Sequence, residues 1–216
     1  MDKSVLRRCA ALFLLGLMVA LCPYAQRGFH CLENAWNMAL LEASLSRTDI
    51  RLQRNLAEGY NAALKDGIQE GYDDILNIKS GIMGTVLIPK IRVHLPIYHG
   101  TDPGALSRGA GHLPQSPFPI GGTGNHSVIT AHTGYPGGRL FSDLDQLAVG
   151  DTFEIHILDE IICYRVDQIL TVLPEETEHL LPTQGEDYCT LVTCTPYGVN
   201  SHRLLVRGVR VEKMTK

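Results

Sequence analysis

One cysteine closes the apolar, β-branched run Thr190-Leu191-Val192-Thr193-Cys194, and a turn, Thr195-Pro196-Tyr197-Gly198, follows it. An arginine sits just inside the next run, Asn200–Gly208. If the two runs form a hairpin centred between Gly198 and Val199, position 194 pairs with position 203. Cys194 and Arg203 then share one sheet face, with Cβ atoms about 4.5–5.5 Å apart. A cysteine in an apolar strand is by default an inert core residue. A guanidinium beside it changes the chemistry: it favours the thiolate, the reactive form of cysteine. It also offers rigid donors to an oxyanion developing on a carbonyl under attack.

Such a nucleophile needs a proton donor and acceptor beside it. The chain has nine histidines, so composition alone selects none. His132 ends the apolar run Val128–Ala131 and opens the loop Thr133–Gly138, a position both rigid and accessible. His126 precedes that run and could equally serve a turn. His202 adjoins Arg203 and should point to the opposite face. The pattern thus favours His132 with Cys194 and Arg203. Cys189 lies an odd number of residues from Cys194 on the same run, so it should face away and not act as a resolving thiol.

These residues must be held by a framework of strands. From Met83 onward, short apolar runs broken by Gly and Pro recur: Met83–Ile88, Arg92–Tyr98, Ser127–Ala131, Thr152–Leu158, Ile161–Leu173, Tyr188–Cys194 and Leu204–Val211. That spacing predicts an all-β barrel or sandwich, with one short helix over Phe141–Leu147. Ahead of it, Leu32, Trp36, Ala39 and Ala43, then Leu45, Leu52, Leu56, Tyr60 and Leu64, recur at helical spacing and predict two helices with these stripes as packing surface. Ser46, Thr48 and Asp49 are the candidate caps of the second.

The N-terminus reads as a targeting segment. Lys3, Arg7 and Arg8 flank an uncharged stretch from Cys9 to Ala25. Spanning a bilayer takes about 17–25 apolar residues. No small-residue cleavage site follows, which favours an uncleaved anchor with the remainder exported. No second apolar span follows, so one tether is expected. The expected organisation is an anchor over 1–25, a helical region over 26–75 and a β-barrel catalytic domain over 76–216.

Composition excludes several classes. The chain has 216 residues, 44% hydrophobic and 19% charged, with a net charge of −4. That balance gives no bulk attraction to nucleic acid. The six cysteines include no C-x-x-C pair, so zinc-ribbon and thioredoxin readings lack support. No histidine pair has ligand spacing on one element, and no metal or other cofactor is expected.

Seven motifs in order resemble the successive landmarks of sortases, the cysteine transpeptidases of Gram-positive surfaces. They are Gly81–Ile91 (G-I-M-G-T-V-L-I-P-K-I), Leu95–Gly100 (L-P-I-Y-H-G), Gly109–Pro114 (G-A-G-H-L-P), Thr130–Gly134 (T-A-H-T-G), Leu140–Leu144 (L-F-S-D-L), Thr190–Gly198 and Asn200–Gly208. The likeness covers Gly59 to Val211, and L-P-I-Y-H-G with T-C-T-P-Y-G is similar to class C, the pilin-polymerising group. The resemblance implies an eight-stranded sortase β-barrel, a triad of His132, Cys194 and Arg203, and cleavage of an L-P-x-T-G-like signal. It implies as acceptor an amine on a pilin subunit, at the cell membrane and outside the cell. Two other readings stay open: a housekeeping enzyme that joins surface proteins to a cell-wall peptide amine, and a membrane-tethered scaffold that binds pilins without chemistry.

The sequence departs from the family at Ala131 and Thr133, where Gly and Arg are usual around the histidine. The Asp-Pro-aromatic lid of class C is also missing between Tyr60 and Leu76, and Asp102-Pro103 reads as a turn. An open cleft is therefore expected.

Overall fold

The computed structural model describes residues 3–45, 48–78, 81–135 and 138–212. Within the first helix, the side chains of residues 3–11, 23, 26, 27, 30 and 31 are not among those described. That helix, α1, is continuous over Lys3–Leu45, so the boundary expected at 25/26 falls inside it. Among the described residues no helix is long and apolar enough to cross a membrane. The anchor expected over 1–25 falls partly outside them, as does the candidate cap Ser46.

α1 meets the barrel through Leu41, which packs with Ile82, Tyr98 and Ala105, and through Asn37, whose Nδ2 donates to Tyr98 Oη at 3.1 Å. The expected stripe of Leu32, Trp36, Ala39 and Ala43 is exposed instead. A polar residue, Asn37, lies on the docking face, and apolar periodicity cannot register it.

In α2 (Ile50–Leu64) the expected stripe is half kept, with Tyr60 buried and Leu64 packed on the core. Its start is fixed by Asp49, whose carboxylate accepts from Leu52 N at 3.0 Å and satisfies one of the orphan amides of a first turn. Ala57 and Tyr60 are its buried residues, whereas Leu52 and Leu56 face solvent. Two amides complete the buried face. Gln53 Oε1 accepts from Leu76 N at 2.7 Å, while Asn61 accepts from Phe118 N (2.7 Å) and donates to Phe118 O (3.1 Å).

Eight strands follow: β1 (Ile82–Ile88), β2 (Val93–His99), β3 (Ala110–His112), β4 (Asn125–Thr130), β5 (Thr152–Ile157), β6 (Glu160–Val172), β7 (Asp187–Thr195) and β8 (His202–Val211). They close into a barrel in the order β1-β2-β3-β4-β7-β8-β6-β5. The pairs β2/β3 and β4/β7 are parallel and the rest antiparallel. Alternation puts Phe153, Ile155, Tyr164, Leu191 and Val206 inside, each at most 1% exposed. Closure leaves no exposed sheet edge.

The run pattern located seven of these strands. β3, at three residues, is too short to carry a period. Asp102-Pro103, read as a turn, instead starts α3 (Pro103–Arg108), with the Asp102 carboxylate accepting from Gly104 N (2.8 Å) and Ala105 N (3.2 Å). The helix expected over Phe141–Leu147 reduces to a 3₁₀ turn, Leu144–Gln146.

The segment between α2 and β1, where a lid would lie, is tied to the β2–β3 region. Tyr72 stacks on Phe118, and its hydroxyl accepts from Gly100 N at 3.0 Å and contacts His112 Nδ1 at 2.9 Å. His112 is fully buried. Its Nε2 lies 2.9 Å from Pro117 O, and a carbonyl only accepts, so Nε2 carries the proton. Nδ1 accepts from Tyr72, and the ring is neutral. Burial pushes its pKa down to about 4.

The folded value lies below the unfolded one, about 6.5. Full stability is therefore present above pH 6.5 and is lost as pH falls towards 4. One proton per molecule gives a slope of about 1.4 kcal/mol per pH unit, hence a loss of about 3 kcal/mol across that window. Urea midpoints at pH 7, 5.5 and 4 should fall more steeply for the native protein than for His112→Gln. Parallel curves would refute the assignment.

Candidate active site

β7 and β8 are joined by the turn 196–201 in a register that pairs Thr195 with His202 and Cys194 with Arg203. This is the pairing inferred from the two runs. Tyr197 and Val199, near the tip, are 73% and 70% exposed, so the turn projects from the barrel. Cys194 and Arg203 are both half-buried. The Arg203 guanidinium is aimed by the turn itself: Nη1 donates to Asn200 O at 3.2 Å and His202 O at 3.0 Å. Among the described residues no carboxylate pairs with it.

The histidine is delivered by the parallel pair β4/β7. Its last paired residues are Thr130 and Val192. Beyond them Ala131 N donates to Val192 O at 3.2 Å, and Thr193 Oγ1 donates to Ala131 O at 2.8 Å. His132 follows these contacts, two residues past the end of β4.

Alternation then fixes the face. Val128, Val172, Val192 and Leu205 form an apolar cluster separate from the barrel core, while Ile129, Ala131, Leu191 and Leu204 belong to that core. Steps of two along a strand stay on one face. Cys194 therefore lies on the side of Val192 and Arg203 on that of Leu205. Cys194 and Arg203 share the outer face, at one end of this buried apolar cluster, against which Leu113, Leu170 and Leu180 also pack.

The rival histidines sit elsewhere. His126 lies inside β4 and not before it, and is 1% exposed. Its Nδ1 lies 2.9 Å from Leu181 O and its Nε2 2.7 Å from Thr190 Oγ1. Burial lowers its pKa, and no lone pair remains for substrate. His202 opens β8, with Nδ1 2.8 Å from Ser201 Oγ. Cys189 is fully buried in the barrel core, where burial pushes its thiol pKa well up. It is the inert thiol that its odd spacing from Cys194 predicts.

Apolar patterning missed the groups that hold the His132 loop. The His132 ring stacks on Tyr135, with centroids 5.6 Å apart and planes at 14°. Its carbonyl accepts from Phe141 N at 3.1 Å. Gly134 has φ +65°, and a Cβ there would lie 2.6 Å from the Tyr197 ring. Only glycine meets both conditions, and through it the histidine loop rests on the cysteine–arginine turn. Gly134 N also donates to Ser142 Oγ at 3.0 Å. The one trace of this in the sequence was the glycine two places after the histidine.

A thiol paired with a cation, with an imidazole on the loop that rests on their turn, has the groups for acyl transfer: nucleophile, oxyanion donor and proton carrier. Comparison with known proteins agrees. The sortase domain family matches residues 86–211, more than half of the chain. The sortase C of Streptococcus pneumoniae, whose structure is described as informing catalysis and pilin substrate specificity, is 42% identical with a TM-score of 0.76; the match covers 82% of this chain and 97% of that one. Sortase C of Clostridium perfringens, solved with its C-terminal cell wall sorting motif, is 38% identical with a TM-score of 0.77, covering 82% and 99%. Sortase A of Streptococcus agalactiae serotype III is 32% identical over 117 residues, 53% of this chain and 47% of that protein. The chain spans about half the length of this curated relative. With the closed barrel, the ordered motifs and this match, the chain belongs to the sortase family, whose members are cysteine transpeptidases.

Proposed function

We propose that this protein is a class C-type sortase that joins pilin subunits, with Cys194, His132 and Arg203 as its catalytic residues. The observation that supports the reading is the Cys194–Arg203 pairing at the end of the outer apolar cluster, with the loop that follows His132 resting on the same turn through Gly134 and Tyr197. Cys194 Sγ attacks the threonine carbonyl of an L-P-x-T-G-like signal, and a C–S bond forms as the Thr–Gly C–N bond breaks. His132 gives its proton to the leaving amine. Arg203 holds the oxyanion. An incoming lysine amine then attacks the thioester, gives a proton back to His132 and expels Cys194 as the thiolate. No cofactor enters this cycle.

The apolar stretch over 1–25 serves as the membrane anchor and places the barrel, residues 76–216, outside the cell with residues 26–75 between. The pilin-related and sorting-motif-bound sortase C relatives support the donor and acceptor classes. The test is to incubate the full-length protein with an L-P-x-T-G peptide and two amines in competition: a pilin-derived lysine peptide and a cell-wall peptide amine. Mass spectrometry should show a new isopeptide bond from threonine to lysine. Transfer to the cell-wall amine alone would make the protein a housekeeping sortase. Binding without cleavage would make it a scaffold.

A further inference from the structure

The connection from β6 to β7, residues 173–186, reaches the outer apolar cluster. Leu180 packs against the cluster of Val128, Val172, Val192 and Leu205. The carbonyl of its neighbour Leu181 accepts from Nδ1 of His126 at 2.9 Å, although the Leu181 side chain is 64% exposed. The other hydrogen bonds of this stretch are internal turns, apart from Gly124 N donating to Glu186 O at its end. Among the described residues, His126 alone fastens the middle of the loop to the barrel by a hydrogen bond.

The imidazole is built for that bond. A carbonyl only accepts, so Nδ1 carries the proton, and Nε2 accepts from Thr190 Oγ1 at 2.7 Å. The Tyr188 ring meets it edge-on at 5.5 Å. Tyr188 is in turn covered by the Arg207 guanidinium at 4.2 Å, which Asp167 grips through both oxygens (3.1 and 2.6 Å). An ordinary core position would take an apolar side chain. Here a buried ring with both nitrogens engaged reaches from strand to loop.

We propose that His126 is a positioning residue: by holding Leu181 it seats Leu180 on the outer apolar cluster next to Cys194 and so sets affinity for the apolar part of the acyl-donor peptide. This rests on the reading that the peptide docks over this face, beside Cys194. Val192, in the cluster against which Leu180 packs, is two residues from Cys194, about 7 Å along the strand, so a displaced Leu180 changes how the donor is held without touching the reacting atoms.

His126→Leu fills the volume and removes the donor, leaving the Leu181 carbonyl unpaired. KM for the sorting-signal peptide should rise about tenfold, the equivalent of one lost hydrogen bond of about 1.4 kcal/mol, with kcat within about twofold. Amide exchange in residues 173–186 should quicken while that of β7 and β8 stays protected. His126→Asn, whose amide can donate near the position of Nδ1, should restore both KM and loop protection; general loss of packing would not be rescued this way. Unchanged KM and unchanged loop exchange in His126→Leu would overturn the proposal, as would a fall in kcat that Asn does not restore. If the native protein does not turn the peptide over, the function reading fails and takes the substrate role of His126 with it. The exchange comparison needs no substrate and still decides whether His126 holds the loop.

Discussion

Replacing Cys194 with alanine should lower turnover of a sorting-signal peptide by roughly 10⁴-fold or more, the scale on which removal of a covalent nucleophile acts. The thioester adduct, visible by intact mass after acid quench in the native protein, should vanish. The fold should be indifferent: Cys194 is half-buried on the outer face near the end of β7, and loss of one sulfur at such a site changes stability by about 0.5 kcal/mol or less. Cys189→Ala supplies the contrast from the same strand. That thiol is fully buried in the barrel core, so its loss should cost about 1 kcal/mol or more of stability through lost packing and leave the adduct intact. Retained acyl transfer in Cys194→Ala would remove the residue from the mechanism and, with it, the nucleophile from the site.

The two cysteines also mark how far the sequence could be read. Antiparallel pairing across a short turn is a local matter. Two apolar runs either side of Pro196–Ser201 leave few registers open, and opposite faces follow from counting. The β4/β7 pairing is different. Parallel strands so far apart in sequence take their register from closure of the whole barrel, so His132 could be ranked first but not set beside Cys194. His126 shows the cost: reading the strand as starting at Ser127 instead of Asn125 placed a buried ring in a turn.

On the helices the stripes misled where Asn37 bonds to Tyr98 Oη, Gln53 to Leu76 N and Asn61 to the Phe118 backbone from the docking faces. Hydropathy scores such amides as solvent-facing, yet a barrel's loops present unpaired backbone groups that an amide satisfies better than a leucine does. The contacts of the histidine loop were hidden for a related reason. Gly134 against Tyr197 is a meeting of two turns, and turns carry no period.

Arg203→Lys separates geometry from charge. Lysine keeps the positive charge beside the thiol but replaces a planar fork with a single rotating ammonium. In the native hairpin, Nη1 is held by the carbonyls of Asn200 and His202, and this grip orients the rest of the guanidinium. An ammonium can take those carbonyls or face the substrate, not both in one fixed geometry. kcat should therefore fall by roughly 10²–10³, the loss that follows removal of one oxyanion donor, with a much smaller change in KM. Stability should move by about 0.5 kcal/mol or less, because the side chain is half-buried and makes no ion pair among the described residues. If Arg203 served only to favour the thiolate, lysine would retain most of the activity and the alkylation rate of Cys194 would be unchanged. The decisive pair of measurements is thus turnover and alkylation in the same variant. Slow turnover with native alkylation assigns the guanidinium to the oxyanion. Native turnover limits Arg203 to the charge it places beside the thiol.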